Sequence, residues 1–196
     1  LFADKHTPDN QLTVLAHATI TFQFLKQAFL LPENECRVGE CFVADIGLLL
    51  PEHIQPIAKL INRSFVAPLL HFPSRFTHKG KNGTGVLIAG SGNMPGATLL
   101  AAKSAMRSGI GKLILHLPKN LKTLIPTSLP ETILNIDKDE NHFTDIDFSL
   151  LSMDGIAIGP GIGQHSQTIA AFKNVLNEVQ TPLILDADAL NILANH

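Results

Sequence analysis

Apolar runs and glycine-bearing polar breaks alternate through the second half of the chain, at spacings that define elements. "VLIAG" (86–90) is a compact apolar run and predicts a strand. "GATLLAAKSAMRSG" (96–109) continues at helical period: Leu99, Ala102 and Met106 share one face with Leu100 beside them. Lys103 and Arg107 lie on a wetter side, and Gly109 is placed to end the helix. "KLILHLP" (112–118) predicts the next strand, "TSLPETILNID" (127–137) a weaker one in polar surroundings, and "MDGIAIGPGIG" (153–163) a strand running into glycines. "SQTIAAFKNVLNEV" (166–179) is an amphipathic helix with Ser166 as its expected N-cap, and "PLILDADAL" (182–190) is a last strand ending in two carboxylates. Strand, glycines, helix, strand, repeated, predicts an α/β fold of parallel strands joined by crossover helices.

The first half is less regular. "LTVLAHATITF" (12–22) is rich in β-branched residues and reads as strand, "FQFLKQAFLL" (22–31) is ambiguous, and "ECFVADIGLL" (40–49) predicts a buried strand. Residues 51–76 carry four prolines and read as a linker with some local helix, between one unit over 1–50 and another over 77–196.

Composition narrows the function classes. An apolar fraction of 45% over 196 residues is enough for a packed core. A net charge of -2 with scattered Lys and Arg supplies no field for a nucleic-acid backbone, and with no Trp or Tyr a base-stacking platform is not expected. Cys36 and Cys41 lack the spacing of a zinc or redox pair and read as reduced thiols, which suits the cytoplasm. No apolar run approaches the roughly 20 residues of a membrane helix, and the opening shows no signal-peptide pattern. The chain is expected to begin and end inside a longer protein. A sheet cut after its last strand would leave an open edge and apolar helix faces, so the isolated chain is expected to be marginal in stability.

Three features fall where ligands bind in parallel sheets, beyond the carboxyl ends of strands: "GSGNMPG", "GPGIG" and "DADAL". From Gly90 the first reads G-x-G-x-x-x-G to Gly96, one residue longer than the dinucleotide fingerprint, and no Lys follows as a P-loop requires. The glycines serve either close approach of an anionic ligand at a helix start or a bare tight turn. "GPGIG", Gly159 to Gly163, poses the same pair of readings. Asp186 and Asp188, two apart on an expected strand, would share a face and could bind a hydrated Mg²⁺, accept sugar hydroxyls or act as a base; alternatively one caps the next helix. The nine histidines form no ligand motif, and surface or satisfied-core positions are their default.

Taken together, "HKGKNGTGVLIAGSGNMPGATLLAAKSAMRSGIGKLILHLP", "DGIAIGPGIG" and "PLILDADALNILA" resemble, in order and spacing, the ADP- or ATP-dependent NAD(P)H-hydrate dehydratases of ribokinase-like fold. "AHATITFQFLKQAFLL…GECFVADIGL" resembles the tail of the NAD(P)H-hydrate epimerase domain, Rossmann-like in fold, that precedes the dehydratase in bifunctional proteins, and "LFAD" looks like the continuation of its "DIPSGL" loop. The resemblance implies a three-layer sandwich with a mostly parallel sheet. It implies a hydro-lyase that spends ADP or ATP with Mg²⁺ to remove water from the S hydrate, in a parent that also epimerises the hydrates with K⁺. Ala97 and the "GPGIG" turn, through Gly161 or Gly163, are then substrate contacts. Asp188 joins them with its role open, as is that of Asp186. The family's catalytic Asp block is expected beyond His196, leaving this piece inactive by itself. "HKG", His78 to Gly80, matches the family as a turn at the start of the domain. A homo-oligomer acting on a small molecule, with no nucleic acid or membrane as partner, completes the expectation. The alternatives are a small-molecule kinase of the same fold, of hydroxymethylpyrimidine or hydroxyethylthiazole kinase type, and a binding module without turnover.

Overall fold

The computed structural model describes residues 4–8, 12–49, 58–70 and 74–196. Residues 1–3 of the "LFAD" opening, and 51–57 and 71–73 of the expected linker, lie outside that set. The chain divides into two compact units, Leu1–Ala67 and Pro68–His196.

In the first unit, strand β1 (Ala18–Phe22), the short helix α1 (Glu35–Val38), strand β2 (Glu40–Ala44) and the short helix α2 (Arg63–Val66) follow one another. β1 and β2 pair in parallel, Ala18 opposite Glu40 and Phe22 opposite Ala44. Both strands are shorter than their apolar runs. The "ECFVADIGLL" segment is also not buried as expected, since Phe42 is 49% and Val43 47% exposed. A two-stranded ladder has too few neighbours to cover both faces of a strand, so β-branched and aromatic content selected the conformation without securing burial. Asn34 is fully buried because its side chain is satisfied: Oδ1 accepts from the Thr7 amide (3.2 Å) and Nδ2 donates to the Ala28 carbonyl (2.9 Å).

The second unit runs β3 (Thr84–Ile88), α3 (Pro95–Arg107), β4 (Lys112–Leu117), α4 (Leu124–Ser128), β5 (Ile133–Ile136), β6 (Gly155–Ile158), α5 (Ser166–Glu178), β7 (Leu183–Leu185) and α6 (Asp188–Asn195). Its five strands are all parallel, in the order β5-β4-β3-β6-β7. Alternate residues feed two cores. Val86, Ile88, Ile156 and Ile158 pack with Phe172 and Val175 of α5 and Ala189 and Ile192 of α6. Leu87, Leu113, Leu115 and Leu117 pack with Ala102 of α3 and Ile125 of α4. Helices therefore cover both faces, and the unit is a three-layer sandwich.

The strand order fixes where a ligand fits. From β3 the chain moves outward to β4 and β5, then returns to place β6 on the other side of β3. β3 and β6 flank the topological switch point, and the crevice beyond their carboxyl ends is where open α/β sheets bind ligands. Both glycine turns leave from there. One sequence expectation is corrected here: Ser166 is the first helical residue of α5, not its N-cap. His165 holds the extended N-cap conformation (φ -65°, ψ 147°) and makes no side-chain capping bond.

Candidate functional site

The two turns interlock. Gly90, at φ +90°, donates its amide to the Pro160 carbonyl (2.9 Å). Gly161, at φ +69°, lies so close to the start of α3 that a Cβ there would sit 2.8 Å from Ala97 Cβ and 3.0 Å from Met94 Cβ. Only a residue without a side chain fits both that backbone and that gap. No side chain caps α3, which begins with Pro95 after Met94. Between the turns opens a polar cavity of about 480 Å³, with Ser91, Gly92 and Asn93 on one side and Gly163, Gln164 and His165 on another.

The third side is the 137–147 loop, which reaches the cavity with Asn141 and His142. One buried carboxylate organises the loop. Asp137 Oδ1 accepts from the Asp139 amide (2.9 Å) and the Thr144 hydroxyl (2.6 Å), and Oδ2 from the amides of Thr144 (2.6 Å) and Asp145 (3.2 Å). His116, buried on β4, has Nε2 3.3 Å from Asp137 Oδ2, Nδ1 2.6 Å from Asn135 Oδ1, and Phe143 edge-on to its ring. Burial works against the Asp137 charge, but the bonds from His116, Asp139 and Thr144 outweigh it and hold the carboxyl well below the usual carboxylate range. Asp139 repeats the device at the surface: its Oδ1 accepts from the amides of Asn141 and His142 (both 2.8 Å), which lowers its own pKa. The loop is tied to the first glycine turn by the Gly92 amide, which donates to the Asn141 carbonyl (2.9 Å), and to the segment after β4 by Asn120 Nδ2, which donates to Asn141 Oδ1 (2.9 Å). At its tip the His142 ring stacks on His165, centroids 4.1 Å apart and planes 9° from parallel.

Of the residues singled out from the sequence, Gly163 lines the cavity. Gly161 and Ala97 press together behind it, and Asp188 supports it from α6, its Oδ2 accepting from the Gly163 amide (2.9 Å). Asp186 and Asp188 do not share a strand face. The strand ends at Leu185, Ala187 turns the chain at φ +48°, and Asp188 opens α6, while Asp186 lines a separate apolar groove with Ala157 and Ile184. That φ is one L-residues seldom adopt, and the strain is localised where the chain redirects a carboxylate toward the glycine turn. Among the described residues no group of three or more His, Cys, Asp or Glu is placed to hold a metal. His78 accepts from the Gly80 amide (3.2 Å) and shapes the turn before β3. Sequence reading missed Asn141 and His142, because the loop comes to the cavity only through the Asp137 anchor, and His165, which looks like a surface histidine beyond the second glycine turn.

The Asp188 contact makes a direct prediction. Asp188→Ala leaves the Gly163 amide unaimed and is expected to weaken ligand binding at the cavity about tenfold, the scale of one hydrogen bond to a charged group. Calorimetric titration of wild type and variant checks this; equal affinities would show that the contact only fastens α6.

A parallel sheet between two helical layers, with its crevice at the β3/β6 switch point, makes the second unit a doubly wound α/β domain. A ribokinase-like superfamily protein from Enterococcus faecalis V583 shares the fold at TM-score 0.54 over 64% of this chain and 44% of its own, at 21% identity. Residues 85–196 match the family described as NAD(P)H-hydrate dehydratase, and the chain belongs to that family. The ADP-dependent (S)-NAD(P)H-hydrate dehydratase of Bacillus subtilis is 44% identical over 115 residues, 58% of this chain and 40% of its own length. The structure of the Bacillus subtilis ADP/ATP-dependent enzyme co-crystallised with ATP/Mg²⁺ aligns at TM-score 0.53 and 34% identity, over 65% of this chain and 45% of that one. A bifunctional NAD(P)H-hydrate repair enzyme from Dictyoglomus turgidum is 28% identical over 167 residues, 80% of this chain and 32% of its own. The chain spans about a third of the length of the bifunctional relatives it matches.

Proposed function

We propose that this chain forms the substrate-holding part of an ADP- or ATP-dependent dehydratase that returns (S)-NAD(P)H hydrate to NAD(P)H. The observation that carries the reading is the polar cavity between two interlocked glycine turns at the switch point, in a chain of this family. Glycines let backbone amides approach an extended, anionic dinucleotide closely. Ala97 and Gly161, packed together behind the cavity, set the spacing of its two turns, and Asp188 holds the Gly163 amide in place. A bound nucleotide would supply the phosphoryl group that makes the hydrate's hydroxyl a better leaving group. Among the described residues no cluster of three or more His, Cys, Asp or Glu is placed to hold Mg²⁺. The family match favours this reading over a vitamin-precursor kinase.

The Dictyoglomus turgidum alignment extends ahead of residue 85, which supports reading the first unit as the tail of an epimerase domain. We assign K⁺ to that domain. A cytoplasmic homo-oligomer is part of the same proposal; free Cys36 and Cys41 suit that compartment. Among the described residues, no helix is long and apolar enough to cross a membrane. Binding tests the site reading: hydrated NADH titrated into the complete protein should bind with heat, and a bulky residue at Ala97 should abolish that heat. Undiminished binding would move the ligand elsewhere.

A further inference from the structure

We propose that His142 and His165 form a phosphate-selecting wall of the cavity, donating to the phosphate-bearing part of the dinucleotide. The inference rests on the dinucleotide reading of the cavity and adds residues and a selection rule to it. The cavity lining holds backbone amides, Ser91, two asparagines and a glutamine, and its titratable side chains are these two imidazoles. No carboxylate lines it to repel an anion. The nearby carboxylates are engaged elsewhere: Asp139 by the amides of Asn141 and His142, Glu140 by Lys119, and Asp188 by the Gly163 amide.

The two imidazole rings lie stacked and nearly parallel in the cavity lining. The charged groups near the stack are Asp139, Glu140, Lys119 and Asp188, each already paired. A bound phosphate supplies a counter-charge to a protonated imidazole, so ligand binding and proton uptake are coupled. Affinity for a phosphate-bearing ligand then rises as pH falls through the imidazole range. The stack is built by two separate elements, since the 137–147 loop delivers His142 and the second glycine turn delivers His165. The wall therefore exists only when both sides of the cavity are assembled.

The test is calorimetric titration of the complete protein with NADH and, separately, with reduced nicotinamide riboside, which carries no phosphate. NADH is expected to bind about tenfold more tightly near pH 6 than near pH 8, the riboside equally at both. The double variant His142→Gln/His165→Gln, with circular dichroism unchanged, should lose the NADH slope and leave the riboside alone. A retained slope in that variant, or equal loss of both ligands, overturns the proposal. Inorganic pyrophosphate is titrated in parallel. If neither NADH nor riboside binds, the dinucleotide reading fails by itself. Pyrophosphate binding that strengthens at low pH and is lost in the double variant would then uphold the wall, and its absence would end that too.

Discussion

Gly161→Val is expected to lower kcat/KM of the complete protein by at least about a hundredfold. Two costs combine. The backbone at Gly161 is at φ +69°, where a β-branched residue is strained by roughly 1–2 kcal/mol. Its side chain would also collide with Ala97 Cβ, Met94 Cβ and the Met94 carbonyl at 3.1 Å, forcing the start of α3 away from the second turn. Gly163→Ala is the matched control: its φ is +72°, but a Cβ there meets nothing within 4 Å. It incurs the backbone cost alone, so Gly161→Val should melt lower and lose far more kcat/KM than Gly163→Ala. Equal kinetic losses would mean that the turn matters only for its backbone, not for its grip on α3.

The second large effect is at Asp137. Asp137→Ala strips four hydrogen bonds and a buried imidazole partner from the 137–147 loop and is expected to cost about 3–5 kcal/mol by chemical denaturation at neutral pH. The contribution has a defined pH sign. The folded-state pKa is depressed, so the carboxylate stabilises the fold fully above its ordinary value near 3.8 and progressively less as pH falls below that toward the folded value. The gap between wild type and Asp137→Asn should therefore be widest at neutral pH and shrink below about pH 4. A gap independent of pH would show that shape, not charge, anchors the loop. Loss of the loop's order should also loosen the His142–His165 stack, because Asn141 and His142 owe their placement to the Asp137 and Asp139 side chains.

What was legible in the sequence followed regular periodicity. β3, β4, β6 and β7 show as compact apolar runs, α3 and α5 as apolar residues at helical period, and the two turns as glycine clusters at strand ends, because the core demands those residues at those intervals, while β5 shows only as a weaker run in polar surroundings. Gly109 ends α3 region as expected, at φ +94°. Three things were not legible. The 137–147 loop is shaped by carboxylates bonding backbone amides two to eight residues away, and "DKDENHFTDID" looks like any solvated polar stretch until a buried His116 is known to stand opposite. The divergence of Asp186 and Asp188 depends on a single residue, Ala187, in a conformation that alanine does not advertise. In the first unit, strand propensity at Phe42 and Val43 says nothing of what covers them. Each miss is a tertiary decision imposed on locally ambiguous residues.

The measurement that most directly tests the central claim is recovery of reduced-nicotinamide absorbance when the complete protein is mixed with chemically hydrated NADH, Mg²⁺ and either ADP or ATP. Recovery that requires the nucleotide, and that falls to background in Gly161→Val, is the predicted result. No recovery with either nucleotide, from a folded protein that binds hydrated NADH no better than buffer, would contradict it.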